Sequence, residues 1–416
     1  MTIHTAPEAS ATIVGGGPAG LMAAEVLATA GWVVTVYEHM PSVGRKLLLA
    51  GRSGLNLTHA GPIADLLAHY AETTVVQAAV RAFDADSLRA WSAGLGESTF
   101  VGSSGRVFPR STKATPLLRA WLARLTDLGV RIEVRHKWLG WSHTGGCRFQ
   151  RIDGTVVEVT ADATVFALGG ASWPHVGADG GWVAAFRAAG VTVYPLRPAN
   201  CGVRIPWSTV FGDRFAGTPL KNIALRVAGS SVRGDATITT DGLESGPVYP
   251  LSAAIRDEIE RAGCCTVLVD LHPDLTEEAI ARRMAHRRPK ESLATWLRRS
   301  LGLGPAAVGL LRESTGNEIV TDPTELARLL KSVPLTVRAV MPIERAISSA
   351  GGIALDEVDE HCMLHRLPGV FVAGEMLDWE APTGGYLLQA TFSTAVLAAK
   401  GAIERQQAIV AECRPE

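Results

Sequence analysis

The sequence predicts an α/β fold built on a parallel β-sheet, and three observations near its N-terminus support this prediction. An apolar run rich in β-branched residues, residues 11–14, leads directly into the glycine cluster of residues 15–20 (GGGPAG). Residues 21–30 then favour a helix, and a second strand-like run, residues 32–37, ends at Glu38. This order of strand, glycine turn, helix and strand with a terminal acid is typical of a dinucleotide-binding βαβ unit.

The glycine cluster has a physical reason at each position. Gly15 allows the tight turn, Gly17 lets the backbone approach a diphosphate, and Gly20 lets the helix pack closely on the strand. Pro18 and Ala19 belong to the same cluster, and the helix that follows it points its free N–H groups and positive dipole end toward the phosphates. We therefore predict that this cluster binds the diphosphate of a dinucleotide.

The segment after the second strand extends the predicted site. Glu38 can accept hydrogen bonds from both ribose hydroxyls, and its charge would repel a 2′-phosphate. A glycine-punctuated loop follows with Gly44, Arg45 and Lys46, and cations here suit a second contact with the diphosphate. The alternative interpretation of Arg45 and Lys46 is a solvated pair of cations.

Composition narrows the function classes. With 416 residues, 47% of them hydrophobic and 19% charged, the chain has the size and composition of a globular protein of two or three domains. Its formal net charge of −1 gives no general reason to expect a nucleic acid or a membrane as partner. Residues 12–36 are apolar enough to resemble a membrane span, but their glycines and strand-like flanks favour a buried βαβ unit. The first ten residues lack the pattern of a signal peptide, so we expect a cytoplasmic protein.

The cysteines form no C-x-x-C pair and show no zinc-ligand spacing, so we expect reduced thiols and no metal site. They are Cys147, Cys201, Cys264, Cys265, Cys362 and Cys413. Cys201 lies in a Pro-x-Asn-Cys-Gly turn and could be redox-active, but it has no partner cysteine nearby in the sequence, and a structural role is favoured.

The chain after the first βαβ unit alternates short helices and strands. Residues 86–95 indicate a helix, residues 102–112 a loop, and Thr115 is the predicted cap of the next helix. An apolar strand, residues 163–168, runs into Gly169. This second junction of strand and glycine lacks the G-x-G-x-x-G spacing, so it is not an independent nucleotide site.

The pattern changes at residue 195. Strand-like stretches there alternate with glycine and proline turns and predict a compact antiparallel sheet or barrel. Residues 251–330 are predicted to be largely helical and contain a basic run. A solvated helix face is the favoured interpretation of this run, and a surface for a polyanion is the alternative. The basic residues are Arg282, Arg283, Arg287, Arg288, Lys290, Arg298 and Arg299.

The C-terminal part returns to the pattern of the N-terminal unit. A strand, residues 370–373, leads into Gly374, and a loop that ends in residues 382–385 (PTGG) precedes a long helix, residues 386–407. The first half of this helix is apolar nearly all round, which predicts a buried helix. A buried helix that begins at two glycines needs a partner for its free N–H groups, and a flavin, which becomes negative on reduction, would provide one. An ordinary cap by Thr383 is the alternative.

A nucleotide fold that opens at residue 11 and is completed by a C-terminal strand and helix resembles the two-domain FAD oxidoreductases of the glutathione-reductase type. More narrowly, the chain resembles the aminoacetone-oxidase/BaiN-like family of FAD-dependent oxidoreductases over nearly its whole length. The motifs that carry the resemblance are Gly44-Arg-Lys-Leu-Leu, Asn56-Leu-Thr58, Gly105-Arg-Val-Phe-Pro, Ala373-Gly-Glu375-x-x-Asp378 and Pro382-Thr-Gly-Gly-Tyr386. The family usually has three glycines and Arg-Cys-Asn after Gly-Arg-Lys, whereas residues 51–56 read Gly-Arg-Ser-Gly-Leu-Asn, which indicates a distinct subgroup.

The resemblance implies a fold, a cofactor and a set of contacts. It implies a Rossmann-like FAD-binding domain (residues 1–194 and 341–416) with an inserted β-barrel-like domain (residues 195–250 and 331–340) and a helical subdomain (residues 251–330). The backbone near Trp138 is expected to meet the adenine. Together with the fingerprint, the resemblance predicts as cofactor-binding residues Gly15, Gly17, Pro18, Ala19, Gly20, Glu38, Gly44, Arg45, Lys46, Gly51, Asn56, Leu57, Trp138, Ala167, Leu168, Gly169, Gly374, Glu375, Gly384, Gly385, Tyr386 and Leu387.

We therefore expect an FAD-dependent oxidoreductase that transfers a hydride between flavin N5 and a small organic substrate or NAD(P)H. No second G-x-G-x-x-G follows Gly20, so a separate NADPH domain is not expected. Two donors stay open: NAD(P)H bound transiently over the flavin, or a small amine or alcohol with oxygen as acceptor. The pattern assigns no acid–base residue, and the polar residues expected near the ring are interpreted first as cofactor or structural contacts. They are Lys46, Arg52, Asn56, Arg106, Lys113 and Tyr386.

Two alternatives belong to other function classes. The first is a flavoprotein with structural FAD that binds or modifies RNA through its basic helical insert. The near-zero net charge and the missing cysteine pair speak against it, and no aromatic residues interleave with the basic run to stack on bases. The second is a non-enzymatic NAD sensor, which would be colourless when purified.

Overall fold

The computed structural model describes residues 8–52, 54–70, 74–316, 318 and 320–412. These residues form two compact units. The first unit comprises the described residues of Met1–Arg197 and Ser348–Glu416, and the insert unit comprises those of Pro198–Ile347. The predicted boundaries between a β-barrel-like domain and a helical subdomain within the insert stay a prediction.

The first unit alternates helices and strands on both sides of the insert. Its N-terminal elements are β1 (Ser10–Val14), α1 (Pro18–Thr29), β2 (Val33–Glu38), α2 (Arg45–Ala50), β3 (Thr58–His59), α3 (Ile63–Leu67), α4 (Thr74–Ala82), α5 (Ala85–Gly94), β4 (Thr99–Val101), β5 (Arg106–Pro109), α6 (Ala114–Asp127), β6 (Arg131–Val134), β7 (His136–Trp141), β8 (Cys147–Arg151), β9 (Val156–Val159), β10 (Ala163–Phe166), α7 (Val183–Ala188) and β11 (Val193–Ala199). After the insert come β19 (Ser348–Ile353), β20 (Val370–Val372) and α14 (Tyr386–Glu412).

A five-stranded sheet with the order β20-β10-β1-β2-β6 forms the centre of the first unit, and all of its neighbouring strands are parallel. This is the predicted Rossmann-like α/β sheet. The register places Val14 beside Phe166 and Phe166 beside Val372. Three strands from distant parts of the sequence therefore end at the same edge of the sheet, where ligands bind in folds of this kind.

The long helix α14 is buried along its first half, as predicted. Phe392, Ala395 and Ala398 have no exposed surface, and all three belong to the core of the first unit. A fully buried side chain such as Phe392 contributes about 1.5–3 kcal/mol to stability. The core therefore fixes the start of α14 relative to the parallel sheet.

The insert unit contains an antiparallel sheet with the order β17-β16-β13-β14-β15-β12-β18. Its edge strands β17 and β18 are separated along the chain by Arg338 alone, so this sheet curls strongly, as a barrel-like domain requires. The elements are β12 (Val203–Arg204), α8 (Thr209–Phe215), β13 (Pro219–Val227), β14 (Ser230–Thr239), β15 (Gly242–Glu244), α9 (Val248–Ala262), β16 (Cys265–Asp270), α10 (Glu277–Arg283), α11 (Leu293–Leu301), α12 (Pro305–Ser314), α13 (Pro323–Lys331), β17 (Val333–Val337) and β18 (Ala339–Val340).

Two local predictions are wrong. The sequence predicts a loop at residues 102–112, but β5 lies within it and pairs with β3 and β4. Pairing with distant strands stabilises a segment that has no strand pattern of its own. The sequence also predicts Thr115 as a helix cap, but α6 begins at Ala114 and its cap residue is Lys113, which makes no side-chain cap hydrogen bond.

Candidate functional site

The turn between β1 and α1 leaves room for a ligand at the start of the helix. A Cβ atom on Gly20 would lie 1.9 Å from the Gly15 carbonyl oxygen, so a glycine is required for this close packing. A Cβ atom on Gly17 would meet nothing within 4 Å. Gly17 is the cap residue of α1 and has no side chain that could accept hydrogen bonds from the first turn. Pro18 is the first residue of the helix. The N–H groups of the first turn and the positive helix end can therefore bind a diphosphate.

Glu38 lies at the end of β2, and its carboxylate is fixed by its neighbours. Only 9% of the residue is exposed, Oε2 accepts a hydrogen bond from the Gly16 N–H, and Oε1 accepts one from the Met40 N–H, both at 2.8 Å. His39 Nδ1 lies 3.2 Å from Oε1. Each carboxylate oxygen can accept two hydrogen bonds, so Oε2 retains one position for a ribose hydroxyl.

The carboxyl ends of β10 and β20 reach the same turn. A Cβ atom on Gly15 would lie 2.4 Å from the carbonyl oxygen of Ala167, which with Leu168 directly follows β10. A Cβ atom on Gly374, after β20, would lie 3.1 Å from the Ala19 Cβ atom. The structure thus brings predicted residues from three distant parts of the chain together at the start of α1.

The loop after β2 is held against the glycine turn. Gly44 has a φ of +69°, and its N–H donates a hydrogen bond to the Gly16 carbonyl at 2.8 Å. Arg45 donates through Nη1 to Ser42 Oγ at 3.4 Å, whereas its buried Nε has no hydrogen-bond partner among the described residues. A buried guanidinium nitrogen without a partner in this loop fits an anionic ligand.

An ion pair links α2 to the turn after β20. Lys46 Nζ lies 2.6 Å from Glu375 Oε2 and also donates to Ser172 Oγ at 2.7 Å. A Cβ atom on Gly169 would lie 3.9 Å from the same carboxylate oxygen. The pair joins the cationic N-terminal loop to the acidic C-terminal turn, and both belong to the predicted site.

Residues 51–57 include both packing positions and a polar position. A Cβ atom on Gly51 would lie 2.5 Å from the Ala114 Cβ atom, and Leu57 is fully buried. Packing therefore accounts for the residue types at positions 51 and 57, and the contacts of these two residues with a cofactor stay predictions. The buried Oδ1 of Asn56 has no hydrogen-bond partner in the described part of the chain, which is the condition expected of a group that meets a ligand.

Trp138 points into the core. Its ring packs on Trp141 at 4.9 Å and on Phe166 at 4.8 Å between ring centroids. The side chain is therefore used in packing, and the predicted contact with adenine is left to the backbone of β7.

The start of α14 is fixed by residues more than 300 positions away. A Cβ atom on Gly385 would lie 2.4 Å from the carbonyl carbon and oxygen of Thr58, and the φ angles of Gly384 and Gly385 are +120° and +107°. The Tyr70 hydroxyl donates to the Tyr386 carbonyl at 2.8 Å. The close approach requires a glycine at position 385, the positive φ angles favour glycine at both positions, and Leu387 follows them in the first turn.

The ring of Tyr386 forms a stack that the sequence does not indicate. It lies 5.2 Å from the ring of His59 and 4.1 Å from that of His69, with interplanar angles of 15° and 13°. Burial raises the pKa of Tyr386, the nearby Arg106 lowers it, and Asp65 raises it. Because the net direction is upward, the phenol keeps its proton at neutral pH. We call His59, His69 and Tyr386 the aromatic stack.

Other candidates from the sequence lie elsewhere or are unreactive. Lys113 Nζ donates to the Arg52 carbonyl at 3.2 Å, and both side chains are exposed. Cys201 belongs to the insert unit, and burial raises the pKa of its thiol to about 11, so it is not a thiolate at neutral pH. The cysteines at 147, 201, 264, 265 and 362 are free thiols, and Cys413 lies outside the described residues.

Among the described residues, no three His, Cys, Asp or Glu side chains converge where they could hold a metal ion. No helix in the described ranges combines the length and apolar character needed to cross a membrane.

The residues at this edge of the sheet fit FAD. The open first turn of α1 and the unpartnered Arg45 Nε suit its diphosphate, and Glu38 has capacity for a ribose hydroxyl. The unpartnered Oδ1 of Asn56 offers a hydrogen-bond acceptor to the same ligand.

Comparison with known proteins gives the family and the fold. The profile of the HI0933-like protein Rossmann domain matches residues 9–401. The 3-dehydro-bile acid delta(4,6)-reductase of Clostridium scindens is 27% identical over 412 residues, which cover 94% of this chain and 98% of the relative. The ribosomal RNA dihydrouridine synthase of Haemophilus influenzae is 23% identical over 403 residues, covering 92% and 96%.

A solved structure supports the fold. The chain superposes with a TM-score of 0.52 on the 3-ketosteroid delta1-dehydrogenase of Sterolibacterium denitrificans, which was solved in complex with 1,4-androstadiene-3,17-dione. The two are 11% identical, and the match covers 96% of this chain and 100% of that one. The family match, the parallel sheet and the fit of the site lead to one conclusion: the chain belongs to the HI0933-like Rossmann family and is an FAD-dependent oxidoreductase.

Proposed function

We propose that this oxidoreductase reduces a carbon–carbon double bond conjugated to a carbonyl group in a small organic substrate, with NAD(P)H as the electron donor. The observation that carries the proposal is the buried Tyr386 at the first position of α14, whose ring stacks on His59 and His69 and whose phenol lies near Arg106. Two relatives support the reaction type. One is named a reductase of a 3-dehydro-bile acid, and the other is named for making dihydrouridine.

The proposed contacts place the cofactor along the edge of the parallel sheet. The first turn of α1 and Arg45 hold the diphosphate, Glu38 holds the adenosine ribose, and Lys46 with Glu375 orients the chain between the two ends. The start of α14 at Gly384 and Gly385 meets the flavin ring. Bound there, FAD supplies a hydride from N5 to the substrate.

The chain itself supplies the proton. When a hydride adds to the far carbon of a conjugated double bond, negative charge develops toward the carbonyl, and the carbon next to the carbonyl needs a proton. A neutral phenol can donate it: Tyr386 carries its proton at neutral pH, and the nearby Arg106, which lowers its pKa, favours release of that proton against the opposing effect of burial. The hydride and the proton together add the two hydrogens that convert the double bond to a single bond.

The surroundings of Tyr386 fit this role. His59 and His69 stack on its ring and fix the ring plane, while Tyr70 fixes its backbone carbonyl. Arg106 lies close enough to act on the pKa of Tyr386, so it can also stabilise negative charge that develops on a substrate carbonyl.

The identity of the donor is tested first. FAD-loaded protein is mixed anaerobically with NADH, NADPH or a small primary amine, and the flavin absorbance is followed. We expect NADH or NADPH to bleach the flavin. Bleaching by the amine alone would show an amine oxidase and refute the proposed reductase.

The proton donor is tested with Tyr386→Phe. We expect reduction by the nicotinamide donor to keep its rate, because the phenol takes no part in it. Reoxidation by an α,β-unsaturated ketone should slow by about 100-fold or more, the usual contribution of a positioned general acid. Tyr194→Phe, at a half-exposed tyrosine, is the matched control and should leave both rates unchanged. Equal reoxidation rates in wild type and Tyr386→Phe would remove Tyr386 from the mechanism.

RNA as the substrate is a second candidate, favoured by the Haemophilus influenzae relative and by the basic run. The side chains of Arg282, Arg283 and Arg288 are exposed and form no ion pair with any described residue. Arg299, by contrast, is paired with Glu291 at 2.9 Å. RNA binding whose affinity falls steeply with salt, and which Arg282→Gln/Arg283→Gln weakens, would favour this candidate. Undetectable or salt-independent binding would remove it.

A further inference from the structure

A cationic cavity lies beside the end of β2, away from the start of α14. Its volume is about 590 Å³, and three segments line it: the turn after β2, the junction of β6 and β7, and the hairpin of β8 and β9. Four of its lining residues carry basic side chains: His39, Arg135, Lys137 and Arg151. We propose that this cavity binds the phosphate group of a phosphorylated ligand distinct from the cofactor.

The basic side chains are largely uncompensated. Neither Arg135 nor Lys137 forms an ion pair with a described residue, and Arg151 donates through Nε to His136 at 3.2 Å. The acids nearby are Glu38 and Asp179, which act on His39, Asp153, on which Arg151 acts, and Glu133, which together with Arg151 acts on Tyr37. None of the described residues that line the cavity carries a carboxylate.

The backbone at Arg135 points to a function. Arg135 has a φ of +59°, in the left-handed region that glycine and asparagine adopt far more readily than arginine. Its N–H donates to the Met40 carbonyl at 3.1 Å, which holds the junction in this conformation. Strained backbone conformations cluster at ligand-binding sites, so this conformation, together with the neighbouring cations, supports a ligand at Arg135.

The cofactor does not account for these charges. The adenosine of FAD is predicted to contact Glu38 and the backbone of Trp138. These two residues are next in sequence to the lining residues His39 and Lys137. The ribose and the adenine of FAD carry no charge, and its diphosphate is placed at the first turn of α1. A group of cations at the uncharged end of the cofactor therefore matches a second, anionic ligand.

A phosphate group is the anion that this arrangement suits best. Guanidinium groups bind phosphate oxygens in a bidentate manner, and an ammonium adds a point charge. Ile152, 77% exposed at the cavity, offers an apolar surface to the rest of the ligand. A phosphorylated metabolite and the backbone of a nucleic acid both carry the group.

The test is calorimetric titration of FAD-loaded protein with inorganic phosphate, glycerol 3-phosphate and a short RNA. Lys137→Gln and Arg135→Gly should each weaken binding about tenfold, as expected for loss of one charge-assisted contact. Arg148→Gln, an exposed arginine on β8 outside the cavity, should leave it unchanged. Retained flavin absorbance shows that each variant is folded.

The outcomes separate the sources of the phosphate. Binding of glycerol 3-phosphate that depends on Lys137 indicates a metabolite, and binding of RNA alone with the same dependence indicates a nucleic-acid backbone. No binding of any probe, or equal weakening by Arg148→Gln, would overturn the proposal. The measurement needs no turnover, so its result is independent of the proposed reductase activity.

Discussion

The starts of α1 and α14 use glycine for the same purpose but obtain their surroundings differently. At α1, Gly20 packs against Gly15, five residues away. At α14, Gly385 packs against Thr58, and the ring of Tyr386 stacks on those of His59 and His69. A contact between residues five positions apart can be predicted from the local sequence. A contact between residues more than 300 positions apart forms only when the chain folds. Both glycine turns can therefore be recognised as motifs, but only the first has its packing partner in the same motif, whereas the partners of the second are found only in the structure.

The largest effect is expected from Gly20→Ala. The added Cβ atom would lie 1.9 Å from a backbone oxygen, so α1 must shift away from β1, at a cost of about 3 kcal/mol or more. We expect loss of bound flavin and a lower melting temperature of the apoprotein. Gly17→Ala is the control, because its Cβ atom meets no protein atom, and it should weaken FAD binding without destabilising the apoprotein. Equal melting temperatures for the two variants would contradict this assignment.

A smaller effect is expected from Gly385→Ala. The clash with the Thr58 backbone and the φ of +107° should cost about 2–3 kcal/mol and displace the start of α14. Because the turn at α1 is untouched, the variant should retain the flavin but alter its absorbance spectrum and slow its reoxidation by an unsaturated ketone. A variant with a wild-type spectrum and rate would show that the flavin ring does not meet this turn.

The smallest effect concerns His39, next to Glu38. Its hydrogen bond with Glu38 raises the pKa of His39 above 6.5, although burial and Lys137 oppose the shift and Asp179 assists it. The cationic form therefore stabilises the fold fully below pH 6.5, and this contribution is lost as the pH rises through the raised pKa. Because the side chain is 29% exposed, it should amount to less than about 1 kcal/mol.

Melting temperatures of wild type and His39→Gln, measured from below pH 6.5 to above the raised pKa of His39, test the prediction. The melting temperature of the wild type should exceed that of His39→Gln in acid, and the two should become equal in mild alkali. An advantage that grows with pH would have the opposite sign and would rule out the proposed ion pair with Glu38.

The elements predicted best are those with a strong local pattern. The βαβ unit from β1 to β2, the buried α14 and the parallel character of the sheet follow from residues close together in the sequence. The strand β5 could not be predicted, because its pairing with β3 stabilises a segment without period-two hydrophobicity. The cap of α6 was misplaced because Thr115 has a favourable residue type, but the helix begins one residue before it.

The sequence by itself indicated the glycine turn before α1 and the terminal acid Glu38, because each depends on residue types at fixed short spacings, and the resemblance to an FAD-dependent family rested on short motifs spread along the chain. The tertiary structure alone decided that His59 and His69 stack on Tyr386, that Lys46 pairs with Glu375, and that four basic side chains share one cavity. These groups come from separate elements whose side chains meet only after the sheet and helices have packed. Histidine, lysine and arginine at isolated positions carry no local signal of such a meeting, since the same residues are as common on solvated surfaces.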